Sequence, residues 1–580
     1  MSLLAFVPEP FRPKLLDAIP TYDRRMLMAD LMAGTTVGVV ALPLAMAFAI
    51  ASGLPPERGL FTAIVAGFLI SALGGTRVQI GGPTVSFVVI VSGIGATYGY
   101  PGIVYCTLLS GALLIVMGLA KLGALIRFIP FPVTTGFTTG IAVVIFTTQV
   151  KDLFGLRIET MPEGFIEKWQ AFILAAPTMQ PAEAAVGLGT VALVFVVRSL
   201  FPKVPAMLVG MVAATAAVTA LGLPVETIGT RFGGLPGTLP MPSLPEFDPN
   251  MLRQLISPAF TIALLAAIES LLSAQVADGM TGDRNRPNAE LVGQGVANMA
   301  SVVFGGIPAA SALARTATNI RSGAKTPVAG MIHSLVLLLL LLLAAPLAKL
   351  IPLACLAGIL VGVAWNMSEL PHFLGLLRSP RSDVAVLLTT FLLTVLVDLS
   401  VAVEVGVVLA SLLFIKRMAE VTNIGLITKS IADDPDERDP NSITIREVPP
   451  GVEVFEISGP FFFGAAEQFK ETLEDLHVKP KALIIRMRKV SAIDATGMHV
   501  LQELNRRCGR EGTRLVLSGV HMQPLNAMVQ SGLYDEIGEE NVHGHIDDAL
   551  DRARAVVGLP PAKRVAPFVP TVSREENRKI

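Results

Sequence analysis

Apolar residues along this chain come in unbroken blocks, not in stripes. Positions 31–53 (LMAGTTVGVVALPLAMAFAIASG) hold no charged residue, and neither do positions 61–75. The run 333–347 (HSLVLLLLLLLAAPL) is apolar beyond its first two residues. A helix on the surface of a soluble protein is apolar on one face only. Blocks that are apolar all round and approach twenty residues have the length that crosses a bilayer. The pattern predicts spans at 31–52, 59–73, 84–97, 102–120, 131–149, 183–200, 204–222, 254–275, 288–304, 313–322, 327–348, 351–366, 383–397 and 400–415. That makes about fourteen, of which the third and tenth are too short to cross.

The pattern changes after Lys429. Positions 431–441 (IADDPDERDPN) are acidic, carry two prolines and predict a solvated linker. Beyond them 452–457 (VEVFEI) alternates as a half-buried strand, and 482–487 (ALIIRM) and 515–518 (LVLS) predict two more. Polar helical stretches near 465–477, 497–509 and 546–556 follow them, so a small α/β domain is expected over 442–557. The remaining divisions are an N-terminal segment at 1–30, membrane halves at 31–222 and 250–420, and a disordered tail at 558–580.

Composition agrees with the membrane reading. The 580 residues are 52% hydrophobic and 16% charged, against about 25% charged in soluble domains. A net charge of −1 gives no sign of a nucleic-acid partner. Cys106, Cys355 and Cys508 lie far apart, with no metal-ligand spacing, so neither a disulfide scaffold nor a metal or other cofactor is expected. The first apolar block is too long for a cleaved signal. Basic residues flank the spans at Arg24 and Arg25, at Arg378 and Arg381, and at Lys416 and Arg417. With an even number of spans all three sites share one side, which places both termini in the cytoplasm and the chain in the inner membrane.

Chemistry is expected where the apolar blocks break. Gly74-Gly75-Thr76-Arg77 leads into Ile80–Ser86 (IGGPTVS), and Gly305-Gly306-Ile307-Pro308 leads into Ser311–Thr316 (SALART). Short segments interrupted by glycine and proline, one in each half, point to a transporter site. A helix that starts inside the membrane presents free N–H groups and a partial positive charge, and two such ends suit an anion. Close helix packing at the glycines is the plain alternative. Two ionisable residues lie at membrane depth. Arg315 would attract the anion, or form a structural ion pair with Glu269. Glu269, within 262–273 (IALLAAIESLLS), would carry a proton or bind a coupling cation, or hold a packing hydrogen bond.

Several motifs together resemble the sulfate permease family. They are Leu42–Ala49 (LPLAMAFA), Gly53–Pro56 (GLPP), Gly59–Phe61 (GLF), Gly82–Thr84 (GPT) and Glu290–Gly295 (ELVGQG). Ile493–Gly497 (IDATG) resembles the turn of the STAS domains that follow such transporters. The resemblance implies fourteen segments in two inverted repeats of seven, a core moving against a gate, and a homodimer. It places Thr84, Val85 and Ser86 at the start of the third segment, and Ser311, Ala312 and Leu313 at the start of the tenth. Arg315 falls on the family's anion-site arginine. Glu269 and Ser273 fall where sodium-coupled bicarbonate members carry Asp and Thr, although Leu44 and Leu313 depart from polar residues found elsewhere in the family. Thr496 falls where related regulators carry a phosphorylatable serine, which suggests a cytoplasmic regulatory partner.

The stretches 268–272 (IESLL), 278–282 (DGMTG), 363–369 (VAWNMSE) and 410–414 (ASLLF) are similar to dicarboxylate-uptake members of that family. That implies proton-coupled uptake of succinate, fumarate or aspartate by alternating access. Sulfate or bicarbonate symport, anion exchange and an anion channel are the alternatives. The chain has no GxxxxGK, no GxGxxG after a strand and no HExxH, so no enzyme is expected.

Overall fold

The computed structural model describes residues 8–124, 130–162, 164–201, 204–243, 248–397, 399–421, 423–426, 447–474 and 479–561. The expected linker and the tail from 562 onward lie outside them. The chain divides into two units, Met1–Ala410 and Ser411–Ile580.

Every predicted span falls on a helix of the first unit or on the helix Leu399–Val421. Among the described residues, eight helices are long and apolar enough to cross a membrane. The first, Arg24–Ala51, starts at Asp23, whose carboxylate accepts from the Met26 amide at 2.7 Å. The third and fourth spans form one run, Val88–Leu119, broken at Gly99 with φ 66° and followed by Pro101. Glycine reaches that conformation without a Cβ clash, so the chain turns there and resumes as a new helix. The apolar blocks did not reveal the short helices Pro249–Gln254 and Leu370–Leu376 or the amphipathic Phe165–Ala175.

These helices pack as two bundles. Arg24–Ala51, Pro56–Leu73, Val88–Leu119, Ile256–Thr281, Pro287–Val303 and Val328–Ala348 contact chiefly one another. Phe131–Phe154, Pro181–Leu200, Ala206–Leu221, Leu353–Met367 and Arg381–Leu396 form the second group. The division is that of a core and a gate.

At the centre of the core two strands meet. β1 (Gly81–Gly82) pairs antiparallel with β2 (Ala310–Ser311), Gly81 opposite Ser311 and Gly82 opposite Ala310. The Ala312 amide adds a bond to the Ile80 carbonyl at 3.1 Å. Each strand runs straight into a helix, so the antiparallel pairing sends the two helices away in opposite senses, as inverted repeats require. Backbone groups buried in a membrane must find partners inside the protein. Side chains supply the rest here. Asn298 bonds both the amide and the carbonyl of Ala309, at 2.8 and 2.9 Å. Thr62 accepts from the Ile307 amide at 2.7 Å, and Thr316 accepts from the Ile80 amide at 3.2 Å.

The second unit carries a five-stranded sheet in the order β3 (Asn423–Leu426), β4 (Val452–Ser458), β5 (Ala482–Lys489), β6 (Arg514–Ser518), β7 (Val542–His543). Only the β3–β4 pairing is antiparallel. The sequence pattern led to β4, β5 and β6, whereas β3 lies upstream of the acidic stretch and β7 is two residues long. Successive residues of β5 face opposite sides. Leu483, Ile485 and Met487 join one apolar layer, and Ala482 and Ile484 join the other, beneath the helix Ile546–Val557. Burial on both faces explains why this strand reads as a continuous apolar run.

Asp494 opens the helix Ala495–Glu511, accepting from the Gly497 amide at 2.7 Å and the Phe463 amide at 3.1 Å. Thr496 is exposed in the first turn of that helix. Asp494→Ala should destabilise residues 423–561, expressed alone, by about 1–2 kcal/mol. The urea midpoint measures this, and an unchanged midpoint would show that the cap contributes nothing.

Candidate functional site

The two broken segments bring their helix starts together beside the β1–β2 pair. Thr84 precedes the turn Val85–Phe87 that leads into Val88–Leu119, and Ala312 precedes Leu313–Arg321. The first amides of a helix have no acceptor within it. Those of Val85 and Ser86 and those of Leu313 and Ala314 therefore border the same cavity, with the positive ends of two helix dipoles.

Arg315 is 4% exposed, and its Nη2 donates to the Pro83 carbonyl at 2.6 Å. Gly82 makes room for it. A Cβ on Gly82 would stand 2.6 Å from Arg315 Nη1, and the residue's φ of 148° is one that other residues rarely adopt. The guanidinium is thus held against the first half-helix although it belongs to the second. It bonds a neutral carbonyl and not Glu269, so the structural ion pair considered from sequence is not how it is held.

Glu269 and Ser273 are one turn apart on Ile256–Thr281 and share a face. The Thr84 hydroxyl donates to Glu269 Oε2 at 2.9 Å. The Ser273 hydroxyl donates to Thr316 at 3.2 Å and not to Glu269. Both residues line the cavity. Ser311 does not. Its amide donates to Ser270 at 3.1 Å and its hydroxyl accepts from Gln294 at 2.6 Å, so it lies behind the site and braces it. That differs from the expectation that Ser311 faces the substrate.

The cavity holds about 330 Å³. Leu44 and Phe48 wall it from the first helix, and Val133 and Phe137 from the facing bundle. The leucine at position 44 thus takes a packing place in the wall. Thr138, Asn366 and Glu369 add polar groups from the facing bundle, which the sequence reading did not include in the site. Behind it Gln294 also donates to Glu290, whose carboxylate accepts from the Gly75 amide at 2.9 Å and from Thr76 at 3.2 Å. Glu290 and Gln294 stand in one of the family-like motifs, which marked the place but not the bracing.

A fixed cation, two helix starts and a carboxylate around a membrane-depth cavity define an anion-handling membrane protein. Residues 27–390 match the sulfate permease family and residues 444–551 match the STAS domain. The chain belongs to the sulfate permease family, and is an anion transporter of that family with a C-terminal STAS domain. It is 40% identical over 529 residues to the putative sulfate transporter YvdB of Bacillus subtilis, covering 91% of this chain and 98% of that protein. It is 34% identical to the bicarbonate transporter BicA of a Picosynechococcus strain, covering 76% of this chain and 80% of that protein. The solved transmembrane domain of a cyanobacterial BicA superposes with a TM-score of 0.59 at 32% identity, covering 67% of this chain and 98% of that one. Murine Solute Carrier 26 family member A9 shares the fold, with a TM-score of 0.83 at 19% identity over 96% and 95% of the two chains. These relatives are transporters, not enzymes; the bacterial ones are named for sulfate and bicarbonate, and none is named for dicarboxylates.

Arg315→Ala should weaken anion binding roughly ten- to a hundredfold, as loss of a charge-assisted contact does, with expression near normal. Thr84→Phe should abolish saturable binding by filling the space between the helix starts. Direct binding measurements on detergent-purified variants check both, and parental affinity in either would put the site elsewhere.

Proposed function

We propose that the protein is a secondary active transporter that moves a small oxyanion together with a proton, by rocking of the core bundle against the gate bundle. One observation carries the reading: Arg315 and the two half-helix starts border one cavity together with Glu269, whose carboxylate accepts from Thr84 at the first of those starts. The cation and the free amides would hold the anion without closing around it. Glu269 would take a proton as the anion enters, so that the loaded site crosses with little net charge, and release it on the other side. Leu313 offers no oxygen where a sodium ligand would stand, which favours a proton over sodium.

Sulfate and bicarbonate are the substrates suggested by the names of similar proteins. A C4 dicarboxylate such as succinate, fumarate or aspartate is the second reading. It is favoured by a cavity larger than one tetrahedral oxyanion fills, and by the residues around Glu269 that resemble dicarboxylate-uptake members. The basic flanks at Arg24 and Arg25 and at Lys416 and Arg417 support an inner-membrane protein with cytoplasmic termini, which we take to work as a homodimer. The STAS domain would then meet cytoplasmic regulators. Thr496, exposed at a helix start, is the place where a phosphate of roughly −2 charge would alter such a contact.

Uptake into proteoliposomes of labelled sulfate, bicarbonate, succinate, fumarate and aspartate tests the function. Saturable uptake driven by an inward proton gradient is expected for at least one of them. Uptake that never saturates would make the protein a channel. In Glu269→Gln the amide keeps the shape and removes the titration, so uptake should be abolished or lose its dependence on external pH. The parental pH profile in that variant would end the proton role of Glu269.

A further inference from the structure

One turn on the gate side of the cavity is strained where its backbone does not require a side chain. The helix Leu353–Met367 ends at Ser368, and Glu369 follows with φ 42° and ψ 35° before Leu370–Leu376 begins. Among the described residues Lys121 and Glu369 are the two non-glycines in this left-handed range. Lys121 stands exposed just after a helix end, whereas Glu369 lines the cavity. A Cβ makes the conformation unfavourable, and glycine adopts it freely. The turn itself is held by main-chain groups. The Glu369 carbonyl accepts from the His372 amide at 2.8 Å, and the Thr139 hydroxyl donates to the Ser368 carbonyl at 2.7 Å. Glycine would serve this turn better, so an outlier that keeps a carboxylate points to the carboxylate.

That carboxylate is not committed to the fold. Among the described residues its one ion-pair partner is His372 Nδ1 at 3.7 Å, on a side chain that is 66% exposed. Three charged residues line the cavity: Arg315, Glu269 and Glu369. Glu369 begins a helix that packs on Phe131–Phe154 and Arg381–Leu396, so its charge comes from the gate bundle. Arg198 bonds Asn366, about one turn before Glu369, and does not border the cavity. Leu44, Phe48, Val133 and Phe137 make much of the remaining wall apolar, and charges between such walls are screened less than in water.

We propose that Glu369 selects the transported anion by its charge, favouring singly charged anions of the bicarbonate type over doubly charged ones such as sulfate or a C4 dicarboxylate. The cavity carries one cation and two carboxylates before any anion enters. Glu269, once protonated, leaves Arg315 and Glu369 to balance each other. A monoanion then brings the site to one net negative charge and a dianion brings it to two. The repulsion from Glu369 scales with the charge on the anion, so it acts twice as strongly on the dianion. Discrimination built from a repulsive element is as effective as added attraction. The proposal deepens the functional reading above and rests on Arg315 being the anion contact.

Calorimetric titration of the full-length protein at about pH 8, where histidine is ordinarily neutral, tests this with two pairs of probes. One pair is bicarbonate and sulfate. The other is succinamate and succinate, which differ by one charge at nearly the same size. The parent should bind the singly charged member of each pair more tightly. Glu369→Gln should tighten the monoanions roughly three- to fivefold, and the dianions by the square of that, roughly ten- to twenty-fivefold. Glu369→Gly suits the left-handed turn and should show the same shift, while Glu369→Asp keeps the charge and should keep the parental preference. A role in the turn alone would move both members of a pair equally. Equal shifts in Glu369→Gln and Glu369→Gly, or a parent that prefers the dianions, overturn the proposal. Parental binding in Arg315→Ala would remove its premise, a failure separate from either of these.

Discussion

A helix that stops inside a bilayer leaves peptide groups with no water to bond, and the centre of this protein is organised by that constraint. The chain meets it twice with one solution. Gly81–Gly82 and Ala310–Ser311 satisfy each other as an antiparallel pair, and Thr62, Asn298 and Thr316 take the groups the pair cannot reach. An unsatisfied group at this depth costs several kcal/mol. The two halves are therefore tied at the point where each is weakest alone.

The same pairing makes the site. Because the strands are antiparallel and each feeds a helix, the first turns of both helices open onto one cavity with their amides unspent. Arg315 reaches from the second half to the Pro83 carbonyl of the first, and Thr84 of the first reaches to Glu269 of the second. Each half thus holds the other's functional group in place. A charge at membrane depth costs roughly 2.5–3.5 kcal/mol on insertion scales, which explains why the charged groups lie beside the paired strands and the walls are apolar.

Much of this was legible in the sequence. The apolar blocks gave the spans, and the glycine and proline breaks near 74–86 and 305–316 gave the two helix starts with Arg315. The bracing was not legible. Gln294 and Asn298 on Pro287–Val303 look like ordinary polar residues of a packed helix until the facing segment is known. The family motif places Ser311 at the start of the tenth segment, yet its amide and hydroxyl are both committed elsewhere. In the soluble domain β7 is too short to show a period, and β3 lies apart from the strands it joins.

The central claim is that the anion sits between the two half-helix starts. The chain's three cysteines are buried, so a cysteine introduced at Ala314, which lines the cavity, offers a readout for whichever anion is carried. Its rate of modification by a small thiol reagent should fall as the transported anion is added, with half-protection at the concentration that half-saturates uptake. Saturable uptake with no protection at Ala314 would contradict the account.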